Sequence, residues 1–223
     1  MKKLLMTLVI ALAVLVLSVP AKADTIVTIG TPNAALGAFT GPYAQLTVHW
    51  VDATHATLTF VSLTNGGNIY LLGDGSSVFF NTNGAVTWGN SNVAFSNSIA
   101  GFTAASCANA GCNGGSGNVS VFGVFNNTLN AFDGFTRSST QIVVGITLSS
   151  GTWASSLDVL TPNSGGSRAG VHAFPCQTPG CSATQNALAT GFAAEGTRVP
   201  EPGTLALLGA GLLGLAALRR RLL

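Results

Sequence analysis

From residue 24 onward the chain alternates apolar and polar positions with a period of two. Leu46, Val48 and Trp50 alternate with Thr47 and His49, and Leu58 and Phe60 alternate with Thr57 and Thr59. The segment Asp52-Ala53-Thr54 lies between the two runs, so the pattern predicts two half-buried strands paired as a hairpin. Asn65-Gly66-Gly67-Asn68 combines residues that accept positive φ and predicts a tight turn into a strand over 69–72. Gly73-Asp74-Gly75 predicts the next turn, into a strand over 77–80, and Asn83-Gly84 opens another that runs to Trp88. Further strands are expected over 119–125, 141–148, 152–160 and 171–174. By composition, 113–117 and 161–170 read as loops, and the small residues of 183–194 allow a helical turn or two.

Short strands rich in β-branched and aromatic residues, with frequent turns, predict an all-β domain, a single antiparallel β-sandwich of jelly-roll-like form over 24–198. The periodicity nominates Leu46, Val48, Trp50, Leu58, Phe60, Val121, Ile142, Val144 and Ile146 as its core.

The two ends obey different rules. Met1-Lys2-Lys3, an apolar run over 4–17 and the small residues Ala21 and Ala23 have the order of a signal peptide, 1–23, cut before Asp24. Signal peptidase and the general secretion machinery are then the expected partners; the alternative is an uncleaved N-terminal anchor. At the other end, Val199-Pro200-Glu201-Pro202 precedes an uncharged run over 204–218, which Arg219, Arg220 and Arg221 stop. A helix over that run would rise roughly 22 Å, short of the ~30 Å hydrocarbon core. The arginines would hold its end on the cytoplasmic side. Pro200 and Pro202 favour extended backbone before it, a form that a protease can bind.

Pro200-Glu201-Pro202, Gly211-Leu212-Leu213-Gly214-Leu215 and the terminal arginines together resemble the PEP-CTERM sorting signal, here 199–223. The resemblance implies recognition by an exosortase, a membrane-embedded cysteine protease-transpeptidase, with cleavage near Pro200-Glu201-Pro202. It implies a precursor anchored transiently in the inner membrane, then delivery to the cell surface or extracellular matrix, with extracellular polysaccharide as a partner. A single-pass anchor that stays on the chain is the alternative.

Setting the ends apart changes the charge picture. The whole chain carries a formal +2, but 24–198 holds three arginines, no lysine and six carboxylates, a balance of −3. That argues against a nucleic-acid partner, which needs clustered Lys and Arg. Asn, Ser, Thr and Gly must then supply most of the surface polarity.

The four cysteines fall as Cys107-x4-Cys112 and Cys176-x4-Cys181. In an exported chain this spacing favours two local disulfides, Cys107–Cys112 and Cys176–Cys181, each of modest stabilising effect. A four-cysteine zinc site is the competing arrangement. His49 falls out of phase with its apolar neighbours, His55 lies near a turn, and His172 has no metal-binding spacing to either. Asp74 and Asp133 read as turn aspartates. No motif for a nucleophile elbow or a zinc protease is present, so no enzyme activity, cofactor or metal is expected. Trp88 and Trp153 lie near glycines at strand ends, where binding aromatics can sit; core burial is the default reading, with stacking on sugar rings as the alternative. A carbohydrate-binding module and a secreted hydrolase, the latter needing a crevice that holds His172 or two of the aspartates, are the rival functions.

Overall fold

The computed structural model describes residues 23–103, 105–107, 111–131 and 134–196. The strands are β1 (Thr25–Pro32), β2 (Ala44–Trp50), β3 (His55–Ser62), β4 (Thr64–Asn65), β5 (Asn68–Leu72), β6 (Val78–Phe80) and β7 (Val86–Thr87). They continue as β8 (Val93–Ser96), β9 (Asn113–Asn118), β10 (Val124–Leu129), β11 (Gln141–Leu148), β12 (Ala169–Gln177) and β13 (Gly191–Glu195). A single α-helical turn, α1 (Ser156–Val159), lies between β11 and β12.

All pairings are antiparallel and join one sheet in the order β7-β11-β3-β2-β1-β13-β12-β6-β10-β9; β8 adds to β11, β5 to β12 and β4 to β5. The sheet curls onto itself. Phe60 on β3 lies 6.4 Å from Phe80 on β6, although four strands separate them in sheet order. The ends of the path also meet. Trp88, just past β7, donates from Nε1 to Asn127 Oδ1 on β10 at 3.1 Å, and its carbonyl accepts from Asn113 Nδ2 on β9. The predicted sandwich is therefore one antiparallel sheet wrapped around one core.

The alternation of β2, β3 and β11 makes that core. Leu46 and Val48 pack with Leu58 and Phe60 and with Ile142, Val144 and Ile146, all buried. Register follows: Leu46 sits opposite Phe60, which sits opposite Ile142. A one-residue slip would turn each of these side chains outward. Gly66 and Gly67 form the two-residue turn from β4 to β5 with φ of 54° and 76°, which is why glycine is used there.

β12 is buried on both faces. Ala169, Val171 and Ala173 face the main core, whereas Phe174 and Cys176 lie under a second layer. That outer layer consists of Phe79, Phe122, Phe125 and Phe192 at one end and Leu71, Phe102 and Phe135 at the other. Gly170 allows the close stack, since a Cβ there would meet the Phe79 ring and the Ala193 carbonyl at 2.3–2.4 Å.

Several expectations are corrected. Val121 is 78% exposed: residues 119–125 are broken by a 3-10 turn, Ser120–Phe122, and Phe122 turns inward instead. Trp50 is half-buried at the rim of the core. Residues 113–117 belong to β9, whose ladder with β10 orders a glycine-rich segment. Residues 152–160 hold α1 rather than a strand, and 191–195 form β13 rather than helix.

Cys107–Cys112 and Cys176–Cys181 are disulfide-bonded, each with a sequence separation of 5. The sulfurs are thereby paired, and the four-cysteine zinc alternative does not form. Cys176–Cys181 ties the end of β12 to the loop that returns to β13. Loop-closure entropy for so short a loop predicts that replacing both cysteines by serine costs about 2 kcal/mol. The denaturation midpoint with and without the pair measures this.

Candidate functional site

β13 runs antiparallel between β1 and β12, in the middle of the sheet. Glu195 pairs with Ile29, and Ala194 with Thr31 on one side and Gly170 on the other. β13 therefore heads toward the end of the domain from which β1 begins, so Ala23 and Gly196 leave at one pole. Ala23 is tied there, because its carbonyl accepts from Ser156 Oγ on α1 at 2.6 Å, and Thr25 Oγ1 lies 2.8 Å from Ser156 Oγ.

The end of β13 is locked by a buried ion pair. Arg168 Nε donates to both Glu195 carboxylate oxygens, at 2.8 and 3.1 Å, and Nη2 donates to Oε1 at 2.7 Å. The Arg168 amide also donates to Oε2, and Ser167 Oγ donates to the Glu195 carbonyl. Side-chain exposures of 5% and 9% make this a desolvated, bidentate pair. The sequence reading missed it. Its signal was the two lone charges, Arg168 and Glu195, each set in an apolar or small-residue strand context.

Ala21, Pro200, Glu201, Pro202, Arg219, Arg220 and Arg221, together with the rest of residues 1–22 and the predicted tail helix, lie outside the described residues. Among the described residues no helix is long and apolar enough to cross a membrane.

Trp88 and Trp153 are brought into the core rather than onto a shared surface. Trp88 is 7% exposed and packs at a tilt against Phe80, 6.1 Å between ring centroids; Trp153 is 2% exposed and donates from Nε1 to the Asn83 carbonyl. Neither ring offers a face to a sugar, so the stacking role is replaced by packing. His49 bonds to Asp24 and His55 to Asp52, both on the surface. Asp52 accepts from the amides of Thr54 and His55; these bonds, the Thr54 amide first, hold its carboxyl well below the usual carboxylate range. Asp74 is a turn residue at φ 69°, accepting from the Gly75 amide. Asp133 lies outside the described residues.

His172 is the buried polar feature of the outer layer. It projects from the outer face of β12, and its ring stacks against Phe192 at 4.2 Å and Phe174 at 5.4 Å. Nδ1 lies 3.0 Å from the Gly75 carbonyl, an acceptor, so Nδ1 carries the proton. Nε2 then accepts from Thr190 Oγ1 at 2.7 Å, and Asp74 Oδ2 stands 4.0 Å from Nδ1. Burial pushes the His172 pKa below its ordinary value, outweighing the Gly75 bond and the Asp74 charge, which favour protonation. The unfolded chain therefore takes up this proton at higher pH than the folded one. The contribution is fully present above the ordinary histidine pKa of about 6.5 and is lost as pH falls from there toward the lower folded-state value. Denaturation midpoints between pH 7.5 and pH 5.5 will fall for the natural chain, and His172→Gln will flatten that slope.

No curated protein and no solved structure matches the chain. The model of the PEP-CTERM protein-sorting motif matches residues 198–221, beginning two residues after Gly196. With an all-β domain ending in a locked central strand and this motif following it directly, the chain carries a PEP-CTERM sorting signal and is an exosortase-targeted, exported protein.

Proposed function

We propose that the curled β domain is the cargo of its own sorting tail. The chain is cut before Asp24 by signal peptidase and near Pro200-Glu201-Pro202 by the exosortase. The mature domain then serves in the envelope or extracellular matrix as a structural or interaction component, with polysaccharide as its partner. The sorting motif at 198–221 carries this reading. Two further features support it. The mature segment has a formal balance of −3 with no lysine, and its polarity comes from Asn, Ser, Thr and Gly, groups that exchange hydrogen bonds readily with sugar hydroxyls. Only Gly196, Thr197, Arg198 and Val199 separate β13 from Pro200, about 14 Å when extended, so the protease works close against the pole of a folded domain.

Intact mass of the protein recovered from the extracellular matrix of the producing cells tests both cuts. The expected mass runs from Asp24 to the neighbourhood of Pro200, with an added group if the exosortase transfers its product. A mass retaining residues 205–223 would overturn the exosortase step and leave a tail-anchored envelope protein. For the polysaccharide, sedimentation of the mature protein with the isolated matrix glycan is expected; recovery wholly in the supernatant would remove that partner.

A further inference from the structure

The chemistry around His172 goes beyond delivery. Its ring is clamped between two aromatic faces, so it cannot turn away from its partners. The Gly75 carbonyl fixes the proton on Nδ1, leaving the Nε2 lone pair aimed at Thr190. Thr190 is exposed, just before β13, so its hydroxyl faces both a buried base and solvent. Asp74, on the tight turn after β5, lies on the Nδ1 side, where a carboxylate favours the imidazolium. These three come from three separate segments, and their order is that of hydroxyl, base and carboxylate.

We infer that Thr190, His172 and Asp74 form a nucleophile–base–carboxylate set that accepts acyl groups from small carboxylic esters. Thr190 Oγ1 attacks the ester carbonyl carbon while its proton passes to His172 Nε2. The bond to the alcohol oxygen then breaks, and the departing oxygen takes that proton from Nε2, leaving an acyl ester on Thr190. Water attacks this ester, giving its proton to Nε2. The carboxylic acid departs, and Thr190 Oγ1 regains the proton. Asp74 acts through the imidazole and is a positioning residue. His172, kept neutral by its surroundings, is available as a base near neutral pH.

The test uses the full chain in detergent, with p-nitrophenyl acetate as substrate and an alkyl fluorophosphonate as covalent probe. A single phosphonyl adduct on Thr190, located by peptide mass, is expected, with ester hydrolysis that rises with pH and reaches a plateau. Thr190→Ala takes away the donor to His172 Nε2, and its melting curve shows that the variant folds; it loses the adduct and lowers hydrolysis about 100-fold or more, because the nucleophile and the general-base step acting on it are lost together. Thr190→Ser keeps the adduct. Asp74→Asn lowers the plateau and moves the acidic limb to lower pH, because the imidazolium loses its carboxylate; a merely structural change would leave the limb in place. Absence of an adduct on Thr190, or hydrolysis in folded Thr190→Ala equal to the natural chain, would overturn the inference. Either result is independent of both terminal cleavages.

Discussion

Replacing Arg168 with alanine will destabilise the domain by about 3–5 kcal/mol, the usual cost of stranding one member of a buried ion pair. The buried Glu195 carboxylate would lose all the donors of the guanidinium. Lysine at 168 will not rescue it, since an ammonium cannot reproduce the forked contact with both carboxylate oxygens. Glu195→Ala will cost a comparable amount by leaving the guanidinium unpaired. The double change Arg168→Met with Glu195→Leu will recover most of the loss, because replacing both partners by apolar groups removes the stranded charge. Denaturation midpoints of the four variants, each against the natural chain, measure these differences. Equal stability of Arg168→Ala and the natural chain would mean that water reaches the carboxylate.

Trp153→Ala has the second large effect, about 3–5 kcal/mol, from the cavity left by a fully buried indole. The ring also satisfies the Asn83 carbonyl, and the Trp153 amide donates to the Ala53 carbonyl, so this residue joins the segment after β11 to two loops. Trp153→Phe will recover part of the packing but leave the Asn83 carbonyl without its donor, at roughly 1–3 kcal/mol. In a chain of this size each kcal/mol moves the thermal midpoint by about 2–4 °C, so both variants are resolved by a melting curve. If Trp153→Ala melts with the natural chain, the ring is not the core element described above.

Strands that bury one face could be read from the chain. β2, β3 and β11 alternate cleanly because each faces the core on one side and solvent on the other. β9 could not be read. Asn113–Asn118 has little side-chain signal, and its strand exists through the ladder that β10 provides. β1 was lost beside the cleavage site, although Val27 and Ile29 are buried in phase. The outer layer was also hidden, since period-two reasoning assigns one face of a strand to solvent and β12 has none. For that reason His172 looked isolated in sequence, while its partners Gly75 and Thr190 come from loops that fold over the sheet. For Trp88 and Trp153 the default of core burial holds, and the rival stacking role rested on too little. Position near a strand end does not say whether the chain beyond it turns the ring inward. The disulfides were legible because both are local and equally spaced.

The central place of β13 has a mechanical consequence. If the protein is held through the residues beyond Gly196, any pull on them enters the fold along that strand. Its hydrogen bonds to β1 and β12 lie across the line of pull, so they are loaded together in shear instead of being opened one after another. The Arg168–Glu195 clasp sits at the point where the load arrives. A tether attached to an edge strand would peel; this one has to slide against two neighbours at once.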